Sequence, residues 1–413
     1  MANATNTTTT TTSGAAATKR HKQRHHQSSQ QQQQQQQPLL PGLPDHLAQL
    51  CLSLVPPSLL YSVCHSWRRL IYSPSFPPFL SLYTLFYSSS AAAATATDAT
   101  TNSFLRNQSH HPNQKQSNPI EFLSFDPISS KWNRLTPPPS DPDHGPLLLR
   151  HPSFLSRNLP IQSVTVSDHL VLLAATNPYL LPALPHPYIF HPDSNKWHLG
   201  PRFSAPRRWC AAGATSGKLY MVSGVGSHYS PEVARSAERC DLRKKDWLWE
   251  RVAAFKDGRF SRDAVEAVGW RGKLCMVNLK GNAPKEGAVY DVENDRWKEM
   301  PEGMLVGWNG PATAMEEEVI FVVDEDKGVL RKYNPERDCW EDVVRSIRLK
   351  GAAQIAAAGG KICAVHSSGV SIIIVDMLFT PPRLWTLETP PLLHAFAIHI
   401  LPRISCPELE PGF

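Results

Sequence analysis

The sequence predicts a mainly β protein: six copies of a four-stranded unit closed into a ring, with a short helical segment ahead of them. Three observations carry this expectation. An aromatic–Asp/Asn turn followed by a tryptophan recurs down the chain. A turn leading into a short apolar strand precedes most of those tryptophans by 23 to 30 residues. The apolar periodicity also changes near residue 79, from the three-to-four spacing of helices to the short β-branched runs of strands.

Bulk composition limits the alternatives. The chain has 413 residues, with 42 Lys+Arg against 36 Asp+Glu and a formal net charge of +6. Its 11 Trp, 15 Phe and 10 Tyr are too many for a wholly disordered chain, and its 22 Gly too few for collagen. No apolar run reaches the roughly 18 residues of a membrane span, so a membrane is not expected as a partner. Lys19, Arg20, Lys22 and Arg24 supply +4 of the +6 from a segment without a single acid, leaving the rest at +2. No basic stripe remains for a folded nucleic-acid interface, and nucleic acid is not expected as a partner either. The K-R-H-K-Q-R cluster reads first as a solvated tail, with a nuclear-import patch as the sharper alternative. The eight Cys form no C-x-x-C, several sit in apolar runs, and no secretory h-region opens the chain. A reducing location, cytoplasmic or nuclear, is expected.

Along the chain, residues 1–37 are low in complexity, with Thr7–Thr12 and Gln30–Gln37, and are expected to be a disordered tail. Residues 38–76 carry two amphipathic patterns. Leu47, Leu50, Cys51 and Leu54 recur at helical spacing, as do Leu59, Leu60, Val63, Cys64, Trp67 and Ile71. Pro44-Asp45 suits a helix start, and Pro56-Pro57 separates the pair. So much apolar surface on about 35 residues, too few for a core of their own, implies a partner.

The repeat occupies residues 79–402, with 88–119, rich in Ser, Thr, Asn and Gln, as a disordered insertion and 403–413 as a C-terminal tail. Its hairpin element reads F-D-P-I-S-S-K-W, F-H-P-D-S-N-K-W, C-D-L-R-K-K-D-W, Y-D-V-E-N-D-R-W and Y-N-P-E-R-D-C-W. These end at Trp132, Trp197, Trp247, Trp297 and Trp340, and a looser copy ends at Trp385. The turn residues reverse the chain, and the tryptophan buries a large ring between neighbouring units. A unit of roughly 45 residues with four short strands is a propeller blade. Six tryptophans therefore predict six blades. Phe79–Tyr87 lacks a preceding strand and Leu392–Leu401 lacks a following hairpin, so the last strand is expected to complete the first blade.

These hairpins, with G-K-L at 217–219 and 272–274 and G-K-I at 360–362, resemble kelch repeats; Ser223-Gly224 stands where kelch blades carry two glycines. Ahead of them, L-P-D-H-L followed by V-C-H-S-W-R-R-L resembles an F-box through Leu43, Pro44, Asp45, Val63, Cys64, Trp67 and Leu70. Together the chain resembles the plant F-box/kelch-repeat proteins of the Skp-interacting group. The resemblance implies a non-catalytic substrate-recognition subunit of a Skp–cullin–F-box ubiquitin ligase. Leu43, Pro44, Leu47, Leu50, Leu60, Val63, Cys64, Trp67 and Leu70 would contact the Skp adaptor and, through it, a cullin. A scaffold using the same adaptor outside any ligase is the alternative.

Strand order sorts the loops onto two faces. First-to-second and third-to-fourth turns share one; second-to-third and fourth-to-first loops, the more variable, share the other, where binding is expected. Arg207, Arg208, Trp209, His228, Tyr229 and Trp308 are the candidates there to meet a protein substrate, because Arg, Trp and Tyr dominate interface hot spots. Arg207 with Arg208 suits an acidic or phosphorylated segment. No catalytic residue, metal site or cofactor is expected. H-E-x-x-H, G-x-S-x-G and P-loop patterns are absent, and His186 and His191 lack a third ligand in sequence. The acidic runs 316–318 and 324–326 read as solvated turns on opposite faces.

Overall fold

The computed structural model describes residues 38–88, 120–139, 161–176, 181–256, 258–261, 265–278 and 285–405. The expected tail 1–37 and nearly all of the 88–119 insertion lie outside the described residues. The chain divides into two units, at Ile71 and Tyr72.

The first unit holds α1 (Asp45–Ser53), α2 (Pro57–Val63) and α3 (His65–Tyr72). Pro57 opens α2 where its missing N–H costs nothing. Sequence periodicity suggests one helix where α2 and α3 stand. Cys64 breaks it by adopting an extended backbone, φ −155° and ψ 168°. The Arg68 guanidinium steadies the break. Its Nε donates to the Tyr61 carbonyl, 2.6 Å away, and its plane lies over the Tyr61 ring at 4.7 Å. That carbonyl is one of those a helix C-terminus leaves open.

The second unit is a six-bladed β-propeller. Blade I contains β1 (Leu80–Ser88), β2 (Glu121–Asp126) and β3 (Lys131–Arg134). Blade II contains β4 (Ile161–Val166), β5 (His169–Ala175), β6 (Tyr188–His191) and β7 (Lys196–Leu199). Blade III contains β8 (Ala211–Thr215), β9 (Lys218–Val222), β10 (Ala237–Asp241) and β11 (Trp249–Val252). Blade IV contains β12 (Val265–Trp270), β13 (Lys273–Asn278), β14 (Gly287–Asp291) and β15 (Arg296–Glu299). Blade V contains β16 (Ala312–Met315), β17 (Val319–Asp324), β18 (Val329–Asn334) and β19 (Cys339–Arg345). Blade VI contains β20 (Ala352–Ala358), β21 (Lys361–His366), β22 (Ser371–Asp376) and β23 (Arg383–Glu388). The last strand, β24 (Leu393–Pro402), returns to blade I as its innermost member, antiparallel to β1 from Leu80↔Pro402 to Ser88↔Leu393. The closure expected from the unpaired strands is thus the observed one.

Apolar side chains from facing sheets fill the seams between blades. Tyr290, Trp297, Tyr220 and Val222 pack between blades IV and III; Tyr333, Trp340, Cys275 and Val277 pack between V and IV. Five of the six seams carry a further bond from a tryptophan on the outer strand to the chain arriving from the preceding blade. Trp132, Trp197, Trp297 and Trp340 donate their indole N–H to the carbonyls of Glu388, Thr136, Ala253 and Met304. A turn aspartate joins in. Asp295 accepts from Tyr290 Oη and from the backbone N–H of Ala253. Asp338 accepts from Tyr333 Oη and from the N–H groups of Gly303 and Met304.

Two of the six tryptophans depart from expectation. In blade III the residue opposite Cys240 is Trp249, not Trp247, and Trp249 makes the seam bond, to the Pro201 carbonyl. The paired residues Cys240 and Trp249 are two positions further apart than their counterparts Tyr290 and Trp297, and Trp247 lies in the longer turn between them, donating to Leu242 within it. In blade VI the turn is again longer. Val375, the counterpart of Tyr333, pairs with Leu384, which packs toward blade V. Trp385 pairs with Ile374 on the opposite side of the sheet and is 40% exposed.

Arg403, expected in the tail, is buried. Its guanidinium donates to the carbonyls of Ser73 and Phe76 at 2.7 and 3.1 Å and faces the Phe79 ring. Residues 72–76, expected with the helical segment, cluster with the propeller. The acidic turn 316–318 is also more than solvated. Glu316 accepts from Gly359 N–H of blade VI, Glu317 from Ser216 N–H and Thr215 Oγ1 of blade III, and Glu318 pairs with Arg271 of blade IV.

Candidate functional site

Two surfaces present themselves, one in each unit. In the helical unit the nine residues expected to meet an adaptor divide. Leu43, Leu47, Leu50 and Val63 are 37%, 43%, 65% and 58% exposed, and Pro44 and Cys64 are exposed beside them. Leu60 and Leu70 are buried, which corrects their assignment as contact residues: with Ala48 and Leu52 they are interior. Trp67 is half-buried and donates its indole N–H to the Leu39 carbonyl at 2.9 Å, tying the entering strand of chain to α3. Leucines thus lie on both faces of the segment: Leu52, Leu60 and Leu70 face the interior, and Leu43, Leu47 and Leu50 do not.

On the propeller, the loops of the variable face bring residues 200–210 against 223–236. A two-bond bridge joins them: Arg208 N–H to Val225 O at 2.9 Å, and Val225 N–H to Arg208 O at 3.0 Å. Gly224 is required here. Its φ is +101°, and a Cβ would lie 2.9 Å from the Arg208 carbonyl oxygen. The kelch-like Ser223-Gly224 step thus shapes a loop contact.

The six candidates on this face have different fates. Arg207 is 1% exposed, and its NH2 group donates to Glu238 Oε1 at 2.8 Å while NH1 reaches Ser223 O and Ser236 Oγ. It is a structural cation, which corrects its reading as a substrate contact. Trp308 is fully buried against Trp340, Met304 and Trp270 and is corrected likewise. Arg208 is half-buried with its guanidinium 4.3 Å from the Trp209 ring centre. Trp209 holds a positive φ of 55°, a strained state for an aromatic residue. His228 and Tyr229 are exposed, on the loop that Gly224 opens.

The innermost strands line a channel of about 570 Å³. Its polar residues face inward but bond from blade to blade. His399 lies between Ser163 Oγ and Thr165 Oγ1, at 2.9 and 3.0 Å. Burial holds its imidazole neutral, with its pKa lowered to about 3. Gln354 accepts from Ile398 N–H and Glu266 from Ala312 N–H. On the opposite face His191 touches His169 and His198, with ring centres 4.1 and 4.5 Å apart. Its pKa falls to about 4, first through burial and then through the two like neighbours. Among the described residues no group of three or more His, Cys, Asp or Glu is placed to hold a metal ion. His186 instead bonds the Gly200 carbonyl.

A small helical unit with an unburied leucine face, followed by a six-bladed propeller of kelch-like blades, defines an F-box-type adaptor protein. The chain belongs to the F-box/kelch-repeat family. It is 47% identical over 379 residues to the F-box/kelch-repeat protein SKIP25 of Arabidopsis thaliana, covering 89% of this chain and 91% of that protein. It is 24% identical over 297 residues to the Arabidopsis F-box protein AFR, covering 70% and 69% of the two chains. No protein-family model matches the chain.

Proposed function

We propose that the protein is the substrate-recognition subunit of a Skp–cullin–F-box ubiquitin ligase. The helical unit docks on the Skp-type adaptor, and the variable face of the propeller receives a target protein. The observation that supports this most is the exposure of Leu43, Leu47, Leu50 and Val63 on a unit whose interior is already filled by Ala48, Leu52 and Leu60. The contribution to ubiquitin transfer is proximity: a tethered target reaches the conjugating enzyme at high effective concentration, and no nucleophile on this chain takes part.

The test is co-purification of the full chain with a Skp adaptor and a cullin. Wild type brings down both, and Leu43→Ala with Pro44→Ala loses both. Retention of the adaptor by that double variant overturns the docking assignment. A stable adaptor complex that excludes cullin replaces the ligase reading with a scaffold outside any ligase.

A further inference from the structure

Arg207 and Arg208 are adjacent, yet their charges end in opposite circumstances. Residue 207 points inward and takes Glu238, a carboxylate 2% exposed at its side chain. Residue 208 points the other way. Its Nε is buried without a hydrogen-bond partner, and no described carboxylate pairs with it. The acid of the facing loop, Glu232, is engaged by Arg251 at 3.4 Å. Burial alone lowers the proton affinity of the Arg208 guanidinium from its ordinary value, with no anion acting to raise it. A guanidinium carries five donors in a planar fork and is rarely left half-desolvated without an acceptor. What fixes its place is the backbone bridge to Val225 and the face of Trp209, which holds the plane without satisfying the donors.

We propose that Arg208 is an anion anchor of the variable face. Its fork donates to an oxyanion carried by the captured protein, a side-chain carboxylate or a phosphoryl group, while the Trp209 ring holds the fork in place. This rests on the reading that the variable face receives a protein target. It narrows that target to segments bearing a negative group. The same geometry makes Arg207 and Glu238 the buried strut beneath the anchor.

The test uses the full chain on an array of immobilised 12-residue peptides in three sets: one phosphoserine each, one glutamate at the same place, and alanine there. Wild type should retain anionic peptides over their alanine counterparts. Arg208→Ala and Arg208→Gln should each lose about tenfold in that preference, the size of a lost charge-assisted bond. Arg202→Ala, an exposed cation of the same loop, should not. Thermal unfolding checks that both Arg208 variants remain folded. Phosphatase treatment separates the sources: lost binding marks a phosphoryl ligand, and unchanged binding on the glutamate set marks a carboxylate. Equal retention by wild type and both Arg208 variants overturns the anchor, as does no preference for anionic peptides. Peptides bound without regard to charge leave the target-receiving reading standing while the anchor falls. Loss of adaptor co-purification by the wild type would sink the ligase reading without touching the array result.

Discussion

The indole N–H of Trp297 lies 2.7 Å from the carbonyl oxygen of Ala253, across the seam between two blades. The bond spans 44 residues of sequence and joins an outer strand to the linker that enters its own blade. Trp297→Phe should keep the ring packing and lose the bond, at a cost of about 1 kcal/mol in urea unfolding. Trp297→Ala should cost about 3–5 kcal/mol. Trp385→Phe should be nearly neutral, because that ring is on the other side of its sheet and open to water. Equal costs at 297 and 385 would contradict the seam assignment.

The split within the helical unit makes a second prediction. Leu50→Glu should weaken adaptor binding strongly and leave thermal stability unchanged, since Leu50 is 65% exposed. Leu60→Ala should destabilise by about 2–5 kcal/mol, with binding lost only in proportion to unfolding. Calorimetry and adaptor titration on the two variants separate the roles.

Arg207 and Glu238 form a buried pair, so removing one partner strands the other. Arg207→Met or Glu238→Gln should each cost about 3–5 kcal/mol. The double variant should cost clearly less than their sum, as a double-mutant cycle would show.

Acid should weaken the fold through two histidines. His399 and His191 stay neutral in the folded chain down to about 3 and 4, whereas unfolding frees them to take a proton near 6.5. Their depressed values contribute stability above pH 6.5 that is progressively lost as pH falls toward those folded values. The thermal midpoint should drop between pH 7 and 4.5. His399→Gln should lower it at pH 7, where two bonds are weakened, and make the acid-side slope shallower. An unchanged slope would remove His399 from the account.

The ring and its closure were legible in the sequence because turn residues, strand runs and tryptophans each repeat independently. Trp132, Trp197, Trp297 and Trp340 stand where the offset from the turn puts them. Trp247 and Trp385 do not, because two extra turn residues move the strand register while the tryptophan stays conspicuous. In blade III the correct residue was two positions on; in blade VI it was Leu384, which carries no signal. Strand order sorts the loops onto two faces, but it does not say which side chains on the variable face are exposed. In an extended segment neighbours point oppositely, and nothing local says which of Arg207 and Arg208 meets a buried acid. That acid, Glu238, lies 31 residues away. The burial of Trp308 is hidden from the sequence in the same way: its neighbour in the core, Trp340, belongs to the next outer strand.

Blade I takes its inner strand from Leu393–Pro402, and Arg403 then grips the backbone at residues 73 and 76. During synthesis every other blade can be complete while β1 still waits with one edge unpaired. A stop codon shortly before residue 393 would spare five whole blades. It would still yield a split ring with an open strand edge, a template for aggregation and a mark for quality control. The last dozen residues of the body act as a latch, and loss-of-function truncations should reach to the very end of it.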